Sequence, residues 1–256
     1  MSALTADGQL ARIWRGMRAS PKAMIAFTVC VLLILGAVLA PWIAPQNPYD
    51  LGQIDFFDSR LAPGSTSMNG MTYWLGTDTQ GRDMLSAMLY GLRTSLAVGV
   101  TSGVLALLVG TSLGLIAAYF GGRTDAFIMR FVDLMLGFPT ILVALMILVI
   151  FGQGTWKVIL ALVFVQWAYF ARAVRAAALV ETGKEYVEAA RCLGLSAPRI
   201  LASHILPNCL PPLIVIGTIQ VASSIAAEAT LSFLGIGLPI TQPSLGLLIS
   251  NGYQVL

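Results

Sequence analysis

The stretch TSLAVGVTSGVLALLVGTSLGLIAAYFGG, residues 94–122, contains no charged side chain. An α-helix rises about 1.5 Å per residue, so about twenty apolar residues cross the roughly 30 Å hydrocarbon core of a bilayer. This stretch is longer than twenty residues, and the only residues in it that are not apolar are the small residues Gly, Ser and Thr. It therefore predicts a membrane-spanning helix.

Four more stretches have the length and apolar character of spans. Residues 24–44, 134–156 and 205–227 are uncharged, and residues 158–180 carry only Arg172 and Arg175 near their end. Long basic side chains at such a position can reach the membrane surface. We predict an all-α, polytopic membrane helical bundle with five spans.

The composition agrees with this fold class. The chain is 57% apolar and 11% charged, with a mean hydropathy of +0.82, whereas a soluble domain is about one-quarter charged. A net charge of +3 without a dense basic run does not indicate nucleic acid. The three cysteines, Cys30, Cys192 and Cys209, have neither metal-site nor disulfide spacing. Residues 24–40 exceed a typical signal-peptide core, so we expect a retained anchor.

The distribution of basic residues predicts the orientation, because cytoplasmic loops are enriched in Lys and Arg. With the N-terminus in the cytoplasm, four of the fifteen basic residues lie outside: Arg60, Arg82, Arg93 and Lys157. The others lie inside: Arg12, Arg15, Arg18, Lys22, Arg123, Arg130, Arg172, Arg175, Lys184, Arg191 and Arg199.

Three parts follow from this orientation. Residues 1–44 form the cytoplasmic N-terminus and first span, and residues 45–93 form an external segment. Residues 94–256 form a membrane core with a cytoplasmic loop at 181–208. Residues 229–256 are uncharged but rich in Gly and Pro, which predicts an external apolar loop instead of a further span.

The external segment contains the sequence WLGTDTQGRD at residues 74–83. Gly76 and Gly81 are typical of tight turns, and Asp78 and Asp83 are typical of helix caps. One helical face then carries Met84, Leu85, Met88, Leu89 and Leu92. The pattern predicts an amphipathic helix at the membrane interface or against the bundle.

Glycines recur in the second span at Gly99, Gly103, Gly110 and Gly114. These positions share one helical face, where small residues allow another helix to approach closely. The partner helix is expected mainly within the subunit, and a second subunit is the alternative.

The cytoplasmic loop reads ETGKEYVEAARCLGLSAPRILASHILPN, residues 181–208. It predicts two short helices around Gly194, which suits a helix C-terminus, with Ser196 capping the second helix and Pro207 ending it. The first helix has an apolar stripe at Tyr186, Val187, Ala190 and Leu193. Since the spans lie partly out of reach, we expect a cytoplasmic protein to cover this stripe.

The motif Glu188-Ala189-Ala190-x3-Gly194, with Leu206-Pro207 downstream, resembles the EAA loop of ABC-type import permeases. The sequences LGTDxxGRD at 75–83 and EATLSFLG at 228–235 are similar to the C-type subunit of dipeptide, oligopeptide and nickel permeases. The resemblance covers nearly the whole chain. One position departs from the family pattern, because His204 stands where the family has Ile.

The resemblance implies a permease of a bacterial inner-membrane importer for peptides or a related small solute. Its partners would be a second permease subunit, two cytoplasmic ATPases that hold ATP and Mg, and an external solute-binding protein. The family has six spans, so a sixth span and about forty further residues are expected. The residues implied in ATPase coupling are Glu185, Glu188, Ala189, Ala190, Gly194 and Pro207.

The residues themselves agree that this chain is not an enzyme and carries no cofactor. The sequence has no G-x-x-x-x-G-K-[ST] motif, so ATP is expected on partner subunits. His204 is the only histidine and lacks the partners of a triad or a metal site. Asp133 follows Arg130 by three residues, which predicts an ion pair at the inner interface.

Glu228 is an ionisable residue near the outer end of the fifth predicted span. Such a residue is costly in a membrane and usually faces a cavity. Two positions remain open for it, the translocation path or a side chain that extends to the membrane surface. A secondary, ion-coupled transporter is the rival function, but it would need several such residues within the spans.

The predicted topology can be tested by cysteine labelling. In a background without Cys30, Cys192 and Cys209, cysteines at Ser65 and Ser196 should label from opposite sides of the membrane. The measurement is reaction with an impermeant maleimide added to intact cells, before and after permeabilisation. Labelling of both positions from outside would contradict the orientation.

Overall fold

The computed structural model describes residues 6–67 and 70–253 and is predominantly helical. Its helices in chain order are α1 Ala6–Ala19, α2 Pro21–Ile43, α3 Met84–Phe120, α4 Gly122–Leu136, α5 Thr140–Phe151, α6 Thr155–Thr182, α7 Glu185–Cys192, α8 Ala197–Ile200, α9 Leu206–Phe233 and α10 Leu245–Tyr253. A two-stranded antiparallel sheet pairs β1 Ser65–Thr66 with β2 Thr72–Tyr73.

The predicted class, an all-α polytopic membrane bundle, is confirmed. Within the described residues, four helical runs are long and apolar enough to cross a membrane: Pro21–Ile43, Met84–Phe120, Thr155–Thr182 and Ala197–Phe233. A fifth candidate is the pair α4 and α5, whose axes differ by 87°. The bundle core lies where α3 packs against α6 and α9.

The predicted third span, residues 134–156, is wrong as a single helix. Helix α4 ends at Leu136, and Pro139 precedes α5. Proline lacks the N–H needed for a helical hydrogen bond and disfavours helical geometry at the residue before it, so the helix cannot continue through Phe138. Helix α5 has 12 residues, about 18 Å at the helical rise, which is shorter than the hydrocarbon core.

Helix α4 crosses α6 near the end predicted to be cytoplasmic. Two ion pairs join these helices, Arg175 with Asp125 and Arg172 with Asp133. The predicted pair of Arg130 and Asp133 is therefore replaced by a pair between helices. Spacing along the chain could not identify Arg172 as the partner, because it lies on another helix.

The predicted amphipathic helix, expected at the membrane interface or against the bundle, is not a separate element. The residues from Met84 onward are the first turns of α3, which continues for 37 residues. The helix continues because its sequence contains no proline between Met84 and Phe120. Its apolar face packs on protein, since the side chains of Leu89 and Leu92 lie beside Gly36 of α2.

Turns, a helix cap and an ion pair within residues 75–83 stabilise the external segment. Gly76 and Gly81 have φ of +80° and +79°, as the predicted turns require. Asp83 caps α3, because its carboxylate accepts hydrogen bonds from the backbone N–H and the hydroxyl of Ser86 at 2.7 and 2.6 Å. Asp78 forms a buried ion pair with Arg82 instead of capping a helix.

A buried cluster of hydrogen bonds also stabilises the external segment. The Asp58 carboxylate accepts hydrogen bonds from the hydroxyls of Ser67 at 2.5 Å and Tyr73 at 3.0 Å. Burial, followed by the hydrogen bond to Asp58, raises the pKa of Tyr73 above its ordinary value. The phenol is thereby held in its protonated, donating form.

The C-terminal region contains more helix than the predicted external loop 229–256. Helix α9 extends to Phe233, a turn follows, and α10 returns against α9 and α3. Gly246 of α10 lies so close to α9 that a Cβ atom there would be 2.1 Å from the carbonyl oxygen of Ala229. Residues 254–256 of the predicted loop lie outside the described residues.

The glycine face of α3 packs within the subunit, as predicted. A Cβ atom at Gly99 or Gly103 would lie 2.4 or 2.7 Å from side-chain atoms of Ile225 or Val221 of α9. At Gly110, it would lie 2.3 Å from the carbonyl oxygen of Trp167 of α6. Helices α9 and α6 therefore pack against the same face of α3, α9 at Gly99 and Gly103 and α6 at Gly110.

We predict that Gly110→Ala destabilises the bundle by about 1–3 kcal/mol, the usual cost of overpacking. The new methyl group would meet backbone atoms of α6, which cannot rotate away. The matched control is Gly217→Ala on α9, where no atom lies within 4 Å of the added carbon. Thermal unfolding in detergent measures the difference. Equal melting temperatures for the two variants would contradict the backbone contact.

Candidate functional site

Helix α7 of the cytoplasmic loop is anchored on the bundle by two apolar side chains. Val187 and Ala190 are buried in a cluster that includes Val174 and Ala178 of α6 and Ile200 of α8. The expectation that a partner protein covers the whole apolar stripe is therefore corrected. The chain itself covers the inner half, because the loop folds back onto the ends of the spans.

A polar cluster fixes the start of α7. Glu181 accepts hydrogen bonds from Lys184 Nζ and from the Tyr186 hydroxyl, each at 2.7 Å. Asn208 donates to the Tyr186 hydroxyl at 3.2 Å and to the carbonyl oxygen of His204 at 2.7 Å. These contacts join α7 to α6 and α9.

The Tyr186 hydroxyl remains a donor throughout the physiological pH range. Desolvation, followed by its hydrogen bond to Glu181, raises the pKa of Tyr186 to about 12. Charging the phenol would place a second negative charge beside the Glu181 carboxylate. The cluster therefore does not come apart through phenol ionisation near neutral pH.

The end of α7 has the hydrogen bonds of a Schellman motif. The N–H of Leu195 donates to Ala190 O at 3.2 Å, and the N–H of Gly194 donates to Arg191 O at 3.0 Å. Gly194 has φ of +71°, a conformation that costs other L-residues roughly 1 kcal/mol. No atom lies within 4 Å of a Cβ at Gly194. The backbone conformation, not steric space, therefore requires glycine here.

A cation–π contact holds α7 to the third helix. The guanidinium carbon of Arg191 lies 4.8 Å from the ring centroid of Tyr119, near the end of α3. Together with the polar cluster, it connects α7 to α3, α6 and α9. A displacement of α7 would therefore be transmitted to three spans.

The outward face of α7 is exposed. It presents the exposed residues Glu185, Glu188, Ala189 and Cys192, and Leu193 follows with 79% of its surface exposed. Pro207 is placed differently from the prediction. It lies in the first turn of α9, so the second loop helix runs into the fifth span through the π-type turn Leu201–Ile205.

Glu228 does not extend to the membrane surface, and its place on the translocation path stays a prediction. Its side chain is 0% exposed, and its two carboxylate oxygens accept hydrogen bonds from the hydroxyls of Ser95 and Ser232, both at 2.7 Å. The N–H of Leu238 in turn donates to the Ser232 hydroxyl at 3.3 Å. Glu228 thus connects α3, α9 and the turn before α10.

Sequence reasoning missed two glutamines, Gln166 of α6 and Gln220 of α9. Both line a cleft of about 600 Å³ between α5, α6 and α9. Gln166 accepts a hydrogen bond from the Ser224 hydroxyl at 2.8 Å. The signal in the sequence is an amide side chain in the middle of a largely apolar span.

Comparison with known proteins agrees with this architecture. Residues 110–256 match the family described as "binding-protein-dependent transport system inner membrane component". Residues 8–63 match the N-terminal transmembrane domain of oligopeptide transport permease C.

Three curated relatives are similar over most of their length. A dipeptide transport system permease protein of Escherichia coli is 42% identical over 96% of this chain and 81% of the relative. A di/tripeptide transport system permease protein of Pseudomonas aeruginosa is 35% identical over 94% and 79%. An oligopeptide transport system permease protein of Bacillus subtilis is 34% identical over 93% and 75%.

A solved structure shares the fold. The MetNI methionine ABC transporter in an inward-facing crystal form aligns with a TM-score of 0.53 and 22% identity, over 64% of this chain and 77% of that chain. The fold and these matches define the membrane permease subunit of an ABC importer, a multi-pass protein of the bacterial inner membrane. The chain belongs to the family of binding-protein-dependent transport system inner membrane components. The rival secondary transporter receives no support from these comparisons.

We predict that Glu228→Leu destabilises the protein more than Glu228→Gln does. Leucine leaves two buried serine hydroxyls without an acceptor, and each unsatisfied group costs about 1–3 kcal/mol. Glutamine keeps one oxygen acceptor, and a serine hydroxyl can rotate to accept from its amide. Thermal stability in detergent measures the order. If both variants are as stable as the parent but transport altered amounts of solute, Glu228 belongs to the path instead.

Proposed function

We propose that this chain forms half of the translocation path of an ATP-driven importer for peptides or closely related solutes. The other half would be a second permease subunit, and an external binding protein would deliver the solute. Two cytoplasmic ATPases would hold ATP and Mg. The named functions of the relatives support peptides as the solute class, since all three transport peptides by their printed names.

The observation that carries this proposal is the arrangement of α7. Its inner face is buried on the bundle, while Glu188 and Leu193 remain exposed on the opposite side. A fixed helix with one free charged and apolar face is suited to docking in a groove of another protein. Its connections to α3, α6 and α9 would convert motion of an ATPase into motion of the spans.

Each predicted coupling residue would have a distinct role. Glu185 and Glu188 would offer carboxylates for charge-assisted hydrogen bonds to the ATPase. Ala189 would allow close approach on the free face, whereas Ala190 packs inward and fixes the angle of α7. Gly194 would set the turn that keeps this face exposed, and Pro207 would support the junction with α9.

We predict that Gly194→Val and Glu188→Lys each leave the protein in the membrane and reduce ATP-dependent uptake at least tenfold. Valine cannot adopt the Gly194 backbone conformation without strain, so α7 should tilt. Lysine reverses the charge on the docking face. Uptake in membrane vesicles and co-purification of the ATPase measure the two effects.

The matched control for the glycine is Gly183→Val. Gly183 also has no atom within 4 Å of an added Cβ, but its φ is −87°, which other residues adopt freely. This variant should retain uptake. Normal uptake and normal ATPase binding in both Gly194→Val and Glu188→Lys would exclude α7 from coupling.

A further inference from the structure

The cleft between α5, α6 and α9 lies deep in the membrane region. Gln166 is 11 residues from the start of α6 and Gln220 is 13 residues from the end of α9, about 16 and 20 Å at the helical rise. Both helix ends lie on the side predicted to be external. The two amides therefore lie near the middle of a bilayer about 30 Å thick.

The Gln220 side chain is almost buried yet has no partner. Its exposed fraction is 7%, and within residues 6–67 and 70–253 its amide makes no hydrogen bond. Gln166 is 2% exposed; its oxygen accepts from Ser224, while its amide nitrogen has no acceptor in the described chain. Two amide groups thus line the cleft with unused hydrogen-bonding capacity.

Such groups are costly unless something in the cleft binds them. Among the described residues, neither Gln166 nor Gln220 has an enclosed side-chain atom left without a partner, so the unpaired amide atoms face the cleft, where water or a solute can bind them. Helix association explains the bond between Gln166 and Ser224, since polar side chains often join helices in membranes. It does not explain Gln220, which bonds to no helix in the described chain.

The chemistry of the cleft is neutral. The residues that line it include Tyr169 and Ser223 besides the two glutamines, and none of them is charged. A carboxamide both donates and accepts hydrogen bonds. A peptide group likewise offers one N–H and one C=O, so the two can pair in either direction.

We propose that Gln166 and Gln220 form a binding site for the backbone amide of the transported solute. This inference rests on the proposed function of peptide import. The site would recognise the peptide bond, which all peptides share, and not the terminal charges or side chains. It would let this subunit pass peptides of different sequence while excluding solutes without an amide.

The test uses the complete transporter, with its second permease, ATPases and binding protein, in proteoliposomes. The variant is Gln220→Met, which keeps the length of the side chain and removes the amide. The probes are alanyl-alanine and alanyl-sarcosine, whose N-methylated peptide bond cannot donate a hydrogen bond. The parent transporter and Gln220→Met use the same binding protein. The preference of that protein for one probe therefore cancels when the ratio of the two transport rates is compared between them.

We expect Gln220→Met to lower the maximal rate for alanyl-alanine about tenfold, the effect of losing one well-formed hydrogen bond. The maximal rate for alanyl-sarcosine should fall less, so the ratio of the two maximal rates should shift towards one. The control is Thr218→Val, which removes a hydroxyl at similar depth from the opposite groove. It should leave both rates unchanged.

Three outcomes would overturn the site. Unchanged rates in Gln220→Met would mean that the amide contacts only water. An equal loss for both probes would show that the amide does not recognise the peptide N–H. Loss of the second permease subunit from the purified Gln220→Met complex would show that the cleft packs against that subunit. If the parent transporter moves neither peptide, the proposed function fails, whatever Gln220→Met does.

Discussion

Backbone contact between α3 and its neighbours α6 and α9 is the constraint on which the bundle depends. Lipid tails are as apolar as leucine, so burying apolar surface does not bring helices together in a membrane. Close packing must do so, and the glycines at 99, 103, 110 and 114 remove the side chains that would prevent it. The other spans, the cleft and the cytoplasmic loop take their positions from this contact.

Polar side chains within the bundle fall into two groups. Glu228 is completely enclosed, with both oxygens hydrogen-bonded to serine hydroxyls, and it connects the outer ends of α3 and α9. Gln220 is enclosed on three sides by α5, α6 and α9 but unpaired in the described chain. Both oxygens of Glu228 therefore have partners within the chain, whereas the Gln220 amide has none among the described residues, and this difference is the basis of the proposed peptide-binding site.

The cytoplasmic loop combines rigidity with exposure. Val187 and Ala190 fix α7 on the bundle, while Arg191 stacks on Tyr119 at the end of α3. The result is a short helix held on the ends of the spans, as the proposed transmission of ATPase motion requires. A flexible loop with the same exposed residues would bind a partner but would not transmit its movement.

The sequence by itself determined the membrane class, the spans α2, α3, α6 and α9, the turn at Gly194 and the family, because each depends on hydropathy or on local backbone chemistry. Only the tertiary structure decided which side chains meet. The partner of Asp133, the enclosure of Glu228 and the cleft at Gln220 all depend on contacts between distant segments. Hydropathy along the chain measures how well a residue suits lipid, but it contains no information about which helix lies beside it. Partners for buried polar groups are therefore fixed only when the helices pack.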